Sequence, residues 1–255
     1  MLVHGYPESS YMWREVLPAL AQAGWRALAP DLPGYGDSEP NPPGTWERHV
    51  EALERFVGEL GLGPVALVMH DWGVPIGLRW ACDHPGAVSA LVISDGGFFA
   101  DRRWHDLANV MRTPEEGERL IFAYTREGFA AAMHAVSSAM TDEAIEEYWK
   151  GFDGDLRRMG HLELYRSGDF EKLVAYEGRV AALGVPTLIL WGEEDRFASV
   201  RMAHRFHEEL PGSELDVFEG TGHFVWDDQP ERVARVLVEF LQRQSQPSGA
   251  PSDGH

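Results

Sequence analysis

Val68-Met69-His70-Asp71-Trp72-Gly73 closes an apolar run that begins at Val65. Residues 65–69 carry no polar alternation, which suits a strand buried on both faces. The stretch after Asp71, running through Ile76, Leu78 and Trp80 and stopping before Pro85, reads as a helix. The junction is therefore a strand–turn–helix elbow. Such an elbow presents its central residue in a strained backbone conformation, with glycine nearby to permit close approach. Here that residue is Asp71, and the helix N-terminus aims backbone N–H groups at it and favours its ionised form. No Gly-x-Ser-x-Gly pattern occurs in the chain, which argues against a serine esterase of this type. The plainer reading is that Asp71 only caps the helix. Its partners elsewhere in the chain separate the two.

Working outward, short apolar runs at 25–29, 88–93, 186–191 and 215–218 read as further strands. A helix is predicted over 46–60, capped by Thr45 and ended by Gly61, with Val50, Leu53, Phe56, Val57 and Leu60 on one face. Pro230 opens a last helix with Val233, Val236, Leu237, Phe240 and Leu241 on its apolar side. Alternating strands and helices predict an α/β fold, a mainly parallel sheet with helices on both faces. The segment 98–184 contains no convincing strand and is helical in character. We expect it to form a cap over a core made of 1–97 and 185–244. The tail 245–255 is rich in Pro, Ser, Gly and Asp and is expected to be disordered.

The chain has 255 residues, which suits one domain with an inserted subdomain. Its 41 acidic and 22 basic side chains leave a formal charge of −19. That balance argues against nucleic acid, whose phosphates need clustered Lys and Arg, and against an anionic membrane surface. Hydrophobic residues at 44% and charged residues at 25% are ordinary globular values, so a folded core is the default. The single Cys82 excludes an intrachain disulfide and a cysteine-based zinc site. No leader and no membrane-length apolar run is seen, so a cytoplasmic protein, monomeric or homodimeric, is expected.

Three further motifs carry chemistry. Trp191-Gly192-Glu193-Glu194-Asp195 is an acidic cluster just after a buried strand. Gly220-Thr221-Gly222-His223-Phe224 places a histidine between glycines and an apolar residue. Either one alone could be an ordinary surface loop. Together, Asp71, Asp195 and His223 follow the order nucleophile, acid, base. Asp95, after Val92-Ile93-Ser94, is a second claimant to the acid position. His4-Gly5-Tyr6-Pro7 would set the Tyr6 N–H beside that of Trp72 as an oxyanion hole. His204, His207 and Glu208 are read as a solvated helix face, so no metal and no cofactor are expected.

Taken in order, His4-Gly5-Tyr6-Pro7, Asp31-Leu32-Pro33-Gly34-Tyr35-Gly36-Asp37-Ser38, His70-Asp71-Trp72-Gly73 and Gly222-His223-Phe224 resemble the α/β-hydrolase superfamily. Within it they resemble the aspartate-nucleophile branch of haloalkane dehalogenases and epoxide hydrolases. The likeness spans residue 1 to about 241. It implies an eight-stranded, mostly parallel sheet with a helical cap inserted before the acid strand. His4-Gly5 would then end a strand that starts only three residues earlier. Strands before it would be missing, and either stability would be marginal or the gene product would start upstream.

The reaction implied is attack by ionised Asp71 on an sp³ carbon, giving an alkyl-enzyme ester that a His223-activated water hydrolyses. The substrate is expected to be small, neutral and largely apolar. The leaving group divides the branch. Trp72 resembles the principal halide-binding tryptophan, and Ser9-Ser10-Tyr11-Met12-Trp13-Arg14 resembles the dehalogenases, while Met69 and Val74 depart from the small residues that flank the epoxide hydrolase elbow. Tyr6, the run Gly5-Tyr6-Pro7-Glu8-Ser9, and Tyr165 in Leu164-Tyr165-Arg166 resemble the epoxide hydrolases, whose cap tyrosines donate protons. Ile121, Phe122 and Tyr124 lie near the expected site of the other tyrosine. Trp104 and Trp149 are candidates for a second halide donor. The substrate pocket is expected to draw on His4, Phe98, Tyr124, Trp149 and Phe224. Dehalogenation is the first reading and epoxide hydrolysis the second. A catalytically inactive binding protein on the same fold is the third.

Overall fold

The computed structural model describes residues 1–137 and 139–245. Five strands form one sheet: β1 (Leu2–Val3), β2 (Val65–His70), β3 (Val88–Ser94), β4 (Thr187–Gly192) and β5 (Glu214–Phe218). Their spatial order follows their chain order, and every neighbouring pair is parallel. β4 is wholly buried, and β2 and β3 are buried except at Val65 and Ser89, as their unbroken apolar runs require. β5 is an edge strand and half-exposed.

The register decides where chemistry can sit. His70 lies opposite Ser94, and Ser94 opposite Leu190. Gly192 lies opposite Phe218. The carboxyl ends of β2 to β5 therefore align, and the residues after each strand fall side by side. In open parallel sheets this is the edge where ligands bind.

Helices flank the sheet. α1 (Val16–Gln22) packs on the last helix, and α2 (Trp46–Glu59) packs on α3 (Gly73–Asp83). Thr45 Oγ1 accepts from Arg48 N at 3.4 Å, and Gly61 takes the left-handed conformation (φ 57°) just past the C-terminal end of α2. Between β3 and β4 the described residues hold helices and no strand. These are α4 (Asp106–Arg112), α5 (Glu116–Ala123), α6 (Arg126–Val136), α7 (Asp142–Trp149), α8 (Asp155–Ser167) and α9 (Arg179–Ala182). α10 (Arg201–Glu209) packs on β4 and β5; α11 (Val225–Asp228) and α12 (Pro230–Ser245) complete the chain. Val233, Leu237, Phe240 and Leu241 of α12 are buried. Among the described residues no helix is long and apolar enough to cross a membrane.

Polar bonds hold the inserted helices to the rest. Tyr148 Oη donates to Asp227 Oδ2 at 2.8 Å, and Trp46 N donates to Ser167 Oγ at 2.8 Å. Apolar packing adds to them, with the Tyr6 ring edge-on to Tyr165 at 5.3 Å and to Phe152 at 6.2 Å.

Two expectations need correction. Residues 25–29 form no strand. Their neighbour β1 is two residues long, and one bond, Leu2 N to Leu28 O at 2.8 Å, does not build a ladder. The sheet accordingly has five described strands where eight were implied. α12 also runs on to Ser245, and the rest of the expected tail, 246–255, lies outside the described residues.

Candidate active site

β2 ends at His70, and Asp71 turns the chain into α3 with φ 48°. A non-glycine residue in that region is strained, and Asp is among the side chains that tolerate it. Two glycines make room for the turn. A Cβ on Gly5 would lie 2.5 Å from both Asp71 Cβ and Asp71 Oδ1, and one on Gly73 would collide with Val3 O. The first closeness serves the chemistry, because Tyr6 N donates to Asp71 Oδ1 at 2.8 Å. Of the two amides expected to form an oxyanion hole, that of Tyr6 thus reaches Asp71. Burial alone would raise the Asp71 pKa. His223, His70 and the Tyr6 amide outweigh it and hold the carboxyl at about 2. Asp71 is ionised at neutral pH.

His223 reaches the same edge on the loop after β5. Its Nδ1 donates to Asp195 Oδ2 at 2.8 Å, and its Nε2 lies 3.6 Å from Asp71 Oδ2. Asp195 is fixed from its other oxygen, since Oδ1 accepts from Phe197 N at 2.7 Å and Ala198 N at 2.9 Å. Burial disfavours charge on His223, but the Asp195 and Asp71 carboxylates overcome it and hold the imidazole well above its ordinary pKa. The two carboxylates therefore favour the protonated imidazole.

Asp95 is the other claimant, and the structure gives it different partners. Its Oδ1 accepts from Gly192 N at 2.9 Å and its Oδ2 from Ser94 Oγ at 2.6 Å. Burial and the nearby Asp195 charge push its pKa well above the carboxylate range. Its surroundings thus favour the neutral carboxyl. The donor atoms of Asp95, Asp195 and His223 lie within 4.8 Å of one another, the one cluster of metal-ligating type among the described residues. Those atoms are already committed to each other and to backbone amides. The two acids give opposite expectations. Asp195→Asn should cut turnover by about 10³–10⁴-fold by leaving His223 misoriented. Asp95→Asn should cost less than about tenfold, since Asp95 makes no recorded bond to His223 and its surroundings already favour an uncharged group. Steady-state kinetics on both variants checks the pair.

Two cavities meet at Asp71. One, of about 470 Å³, is lined by Asp71, Trp72, Arg102, Trp104, His105, Tyr165 and Phe170 among others. The other, of about 610 Å³, is lined by Tyr6, Asp71, His105, Tyr124, Phe129, Met133, Tyr165, His223 and Phe224 among others. Of the residues expected around the substrate, Tyr6, Trp72, Tyr124, Tyr165 and Phe224 are therefore together, with Trp104 beside Trp72 at 5.7 Å. Three are elsewhere. His4 is buried under the loop, its Nε2 accepting from Leu32 N at 2.9 Å. Phe98 packs on Tyr176 at 5.7 Å. Trp149 stacks on Phe152 at 5.4 Å within the inserted helices. Their aromatic character serves packing. Ile121 is buried and Phe122 exposed, and neither lines a cavity.

Sequence reasoning passed over His105 and Arg102. His105 lines both cavities, and burial lowers its pKa to about 4. Its Nδ1 accepts from Ala108 N at 3.2 Å, so the neutral ring carries its proton on Nε2 and is a donor there. Both residues sit in Asp101-Arg102-Arg103-Trp104-His105-Asp106, a charge run that looks like solvated surface. The signal was the glycine-aromatic stretch Gly96-Gly97-Phe98-Phe99, which carries the loop back over the elbow.

Relatives agree with this architecture. A model of the alpha/beta hydrolase fold family matches residues 1–230. A cis-3-alkyl-4-alkyloxetan-2-one decarboxylase of Xanthomonas campestris is 26% identical, covering 95% of this chain and 88% of that protein. A haloalkane dehalogenase of Mesorhizobium japonicum is 26% identical, covering 94% and 83%. The crystal structure of a haloalkane dehalogenase loop variant from Bradyrhizobium elkanii superposes with TM-score 0.80 at 25% identity, covering 95% and 88%. The chain belongs to the α/β-hydrolase fold family.

Proposed function

We propose that this enzyme cleaves a carbon–halogen bond by nucleophilic attack of Asp71. The observation that carries the reading is the poise of that carboxylate, with Oδ1 on the Tyr6 amide and Oδ2 facing His223 Nε2. Oδ2 attacks the carbon, the carbon–halogen bond breaks, and halide leaves with the bonding pair. The product is an alkyl ester of Asp71. Ester formation removes the Asp71 charge, and with it one of the two carboxylates that hold the proton on His223. The imidazole then loses that proton more readily and becomes a base. It takes a proton from water, the hydroxide attacks the ester carbonyl carbon, and Oδ1 carries the negative charge against the Tyr6 N–H. Collapse frees the alcohol and regenerates the carboxylate. Asp195 holds the imidazole throughout. No step calls for a cofactor.

The apolar lining of the larger cavity supports an alkyl substrate, and Trp72 supports a halide leaving group through its indole N–H. Epoxide hydrolysis is the second reading, favoured by Tyr165, which lines both cavities, and by Tyr124. Burial and the Asp71 charge keep the Tyr165 phenol well above its ordinary pKa, so it is a proton donor. One assay separates the readings. Halide release from 1,2-dibromoethane or 1-bromohexane, with styrene oxide unchanged, is the expected result. Diol from styrene oxide and no halide across a panel of haloalkanes would establish the epoxide reading instead. No product and no covalent adduct with any substrate would leave the inactive binding protein.

A further inference from the structure

Arg102 stands on the loop between β3 and α4 and lines the smaller cavity together with Asp71 and Trp72. Its Nη1 donates to Gly97 O at 3.1 Å. Its Nε is buried without a hydrogen-bond partner, and no carboxylate pairs with the guanidinium among the described residues. This occurs in a chain with 41 acidic side chains, where Arg14, Arg79, Arg166, Arg179, Arg205 and Arg232 all have carboxylate partners. Even the adjacent Asp101 is turned away, held by Arg205 at 2.5 Å. The guanidinium instead lies over Phe170 at 4.7 Å and Trp104 at 5.6 Å, and Trp104 stacks on Trp72. Aromatic faces fix the plane of the fork but satisfy none of its N–H groups. Half-burying a cation with an open N–H is costly unless an anion completes it. Nε and Nη2 share the edge of the fork that carries no hydrogen bond, two parallel donors at the spacing that a carboxylate accepts in bidentate fashion. A spherical halide gains nothing from that pairing.

We propose that Arg102 is an anion subsite and that the substrate carries a carboxylate at the far end of a short apolar chain from the carbon that Asp71 attacks. The inference rests on the Asp71 reading for the reaction and on Arg102 alone for the charge. It narrows the expected neutral haloalkane to an ω-halocarboxylate. The carboxylate would hold the chain along Trp104 and Trp72 and bring its halogen-bearing end to the nucleophile.

Equilibrium binding tests it without turnover. Hexanoate, hexanamide and hexanol are titrated against the intact chain by tryptophan fluorescence, which Trp72 and Trp104 report. Hexanoate is expected to bind at least about tenfold more tightly than hexanamide. Arg102→Gln should erase that preference, and Arg102→Lys should keep part of it, because the charge remains while the fork is lost. Halide release from 6-bromohexanoate should exceed that from its methyl ester in the native chain, with the ratio falling toward one in Arg102→Gln. Equal binding of hexanoate and hexanamide by the native chain overturns the proposal. So does a preference that survives in a folded Arg102→Gln variant. Bromide binding more tightly than hexanoate would mark a leaving-halide pocket and overturn the carboxylate assignment. Carboxylate preference without halide release from any bromide would overturn the dehalogenase reading and keep the subsite. Halide release with no acid preference would do the reverse.

Discussion

Asp71→Asn should abolish halide release, with turnover falling by at least about 10⁴-fold, while the fold persists. The two halves of this expectation have separate causes. The activity is lost because an amide is not an anionic nucleophile, and no other carboxylate takes the position. Asp195 is bound on both oxygens, and Asp95 is held by Ser94 and Gly192 in surroundings that disfavour its charge. The fold persists because Asn also tolerates the positive φ that Asp71 adopts, and its carbonyl can still accept from Tyr6 N. Circular dichroism and thermal melts should match the native chain. Release of halide at more than a few per cent of the native rate by Asp71→Asn would refute Asp71 as the nucleophile.

His223→Ala should stop the cycle halfway. Alkylation needs only the ionised Asp71, so one equivalent of halide per chain is expected in a burst. Ester hydrolysis needs the base, so the adduct should accumulate and be visible as an added alkyl mass on the peptide holding Asp71. Steady turnover should fall by about 10³–10⁴-fold. The two steps also respond differently to pH. In the native chain Asp71 is held at about 2, so alkylation there should be flat across neutral pH. His223 has a raised pKa in the resting site and must be neutral to act, so ester hydrolysis in the native chain should accelerate as pH rises and then level off. Single-turnover measurements over pH 5 to 10 would show both. A burst that also fails in His223→Ala, or a hydrolysis step that slows as pH rises, would contradict this order of events.

Much of this was legible because the relevant signals are local. β2 to β5 are short apolar runs, and α2 and α12 carry their caps and faces in their own residues. The elbow could be read because a buried strand gives way to a helix at one charged residue. What resisted reading depends on packing between distant segments. Residues 25–29 have strand composition, but pairing needs a neighbour longer than β1. Trp149, Phe98 and Trp104 look alike as aromatic residues. Only Trp104 lines a cavity that reaches Asp71, because its loop folds back onto Trp72. Asp95 and Asp195 each follow a strand end, so order along the chain could not rank them. The geometry puts Asp195 on His223. Arg102 was hidden for the opposite reason, since its charged neighbours made a pocket wall look like surface.

Asp71 and Asp95 end neighbouring strands with nearly the same kink, φ 48° and 46°. Asp195 follows the third strand along, and all three carboxyls face one histidine's neighbourhood. Catalytic roles in this enzyme are therefore addresses on an edge of the sheet more than properties of particular residues. Two positions on that edge bring a carboxyl toward the same imidazole: Asp195 bonds it, and an Asp95 oxygen lies in the same 4.8 Å cluster. The left-handed turn belongs to Asp71 and Asp95 alone of the three, so Asp195 reaches the histidine from a longer loop, three residues past the end of its strand.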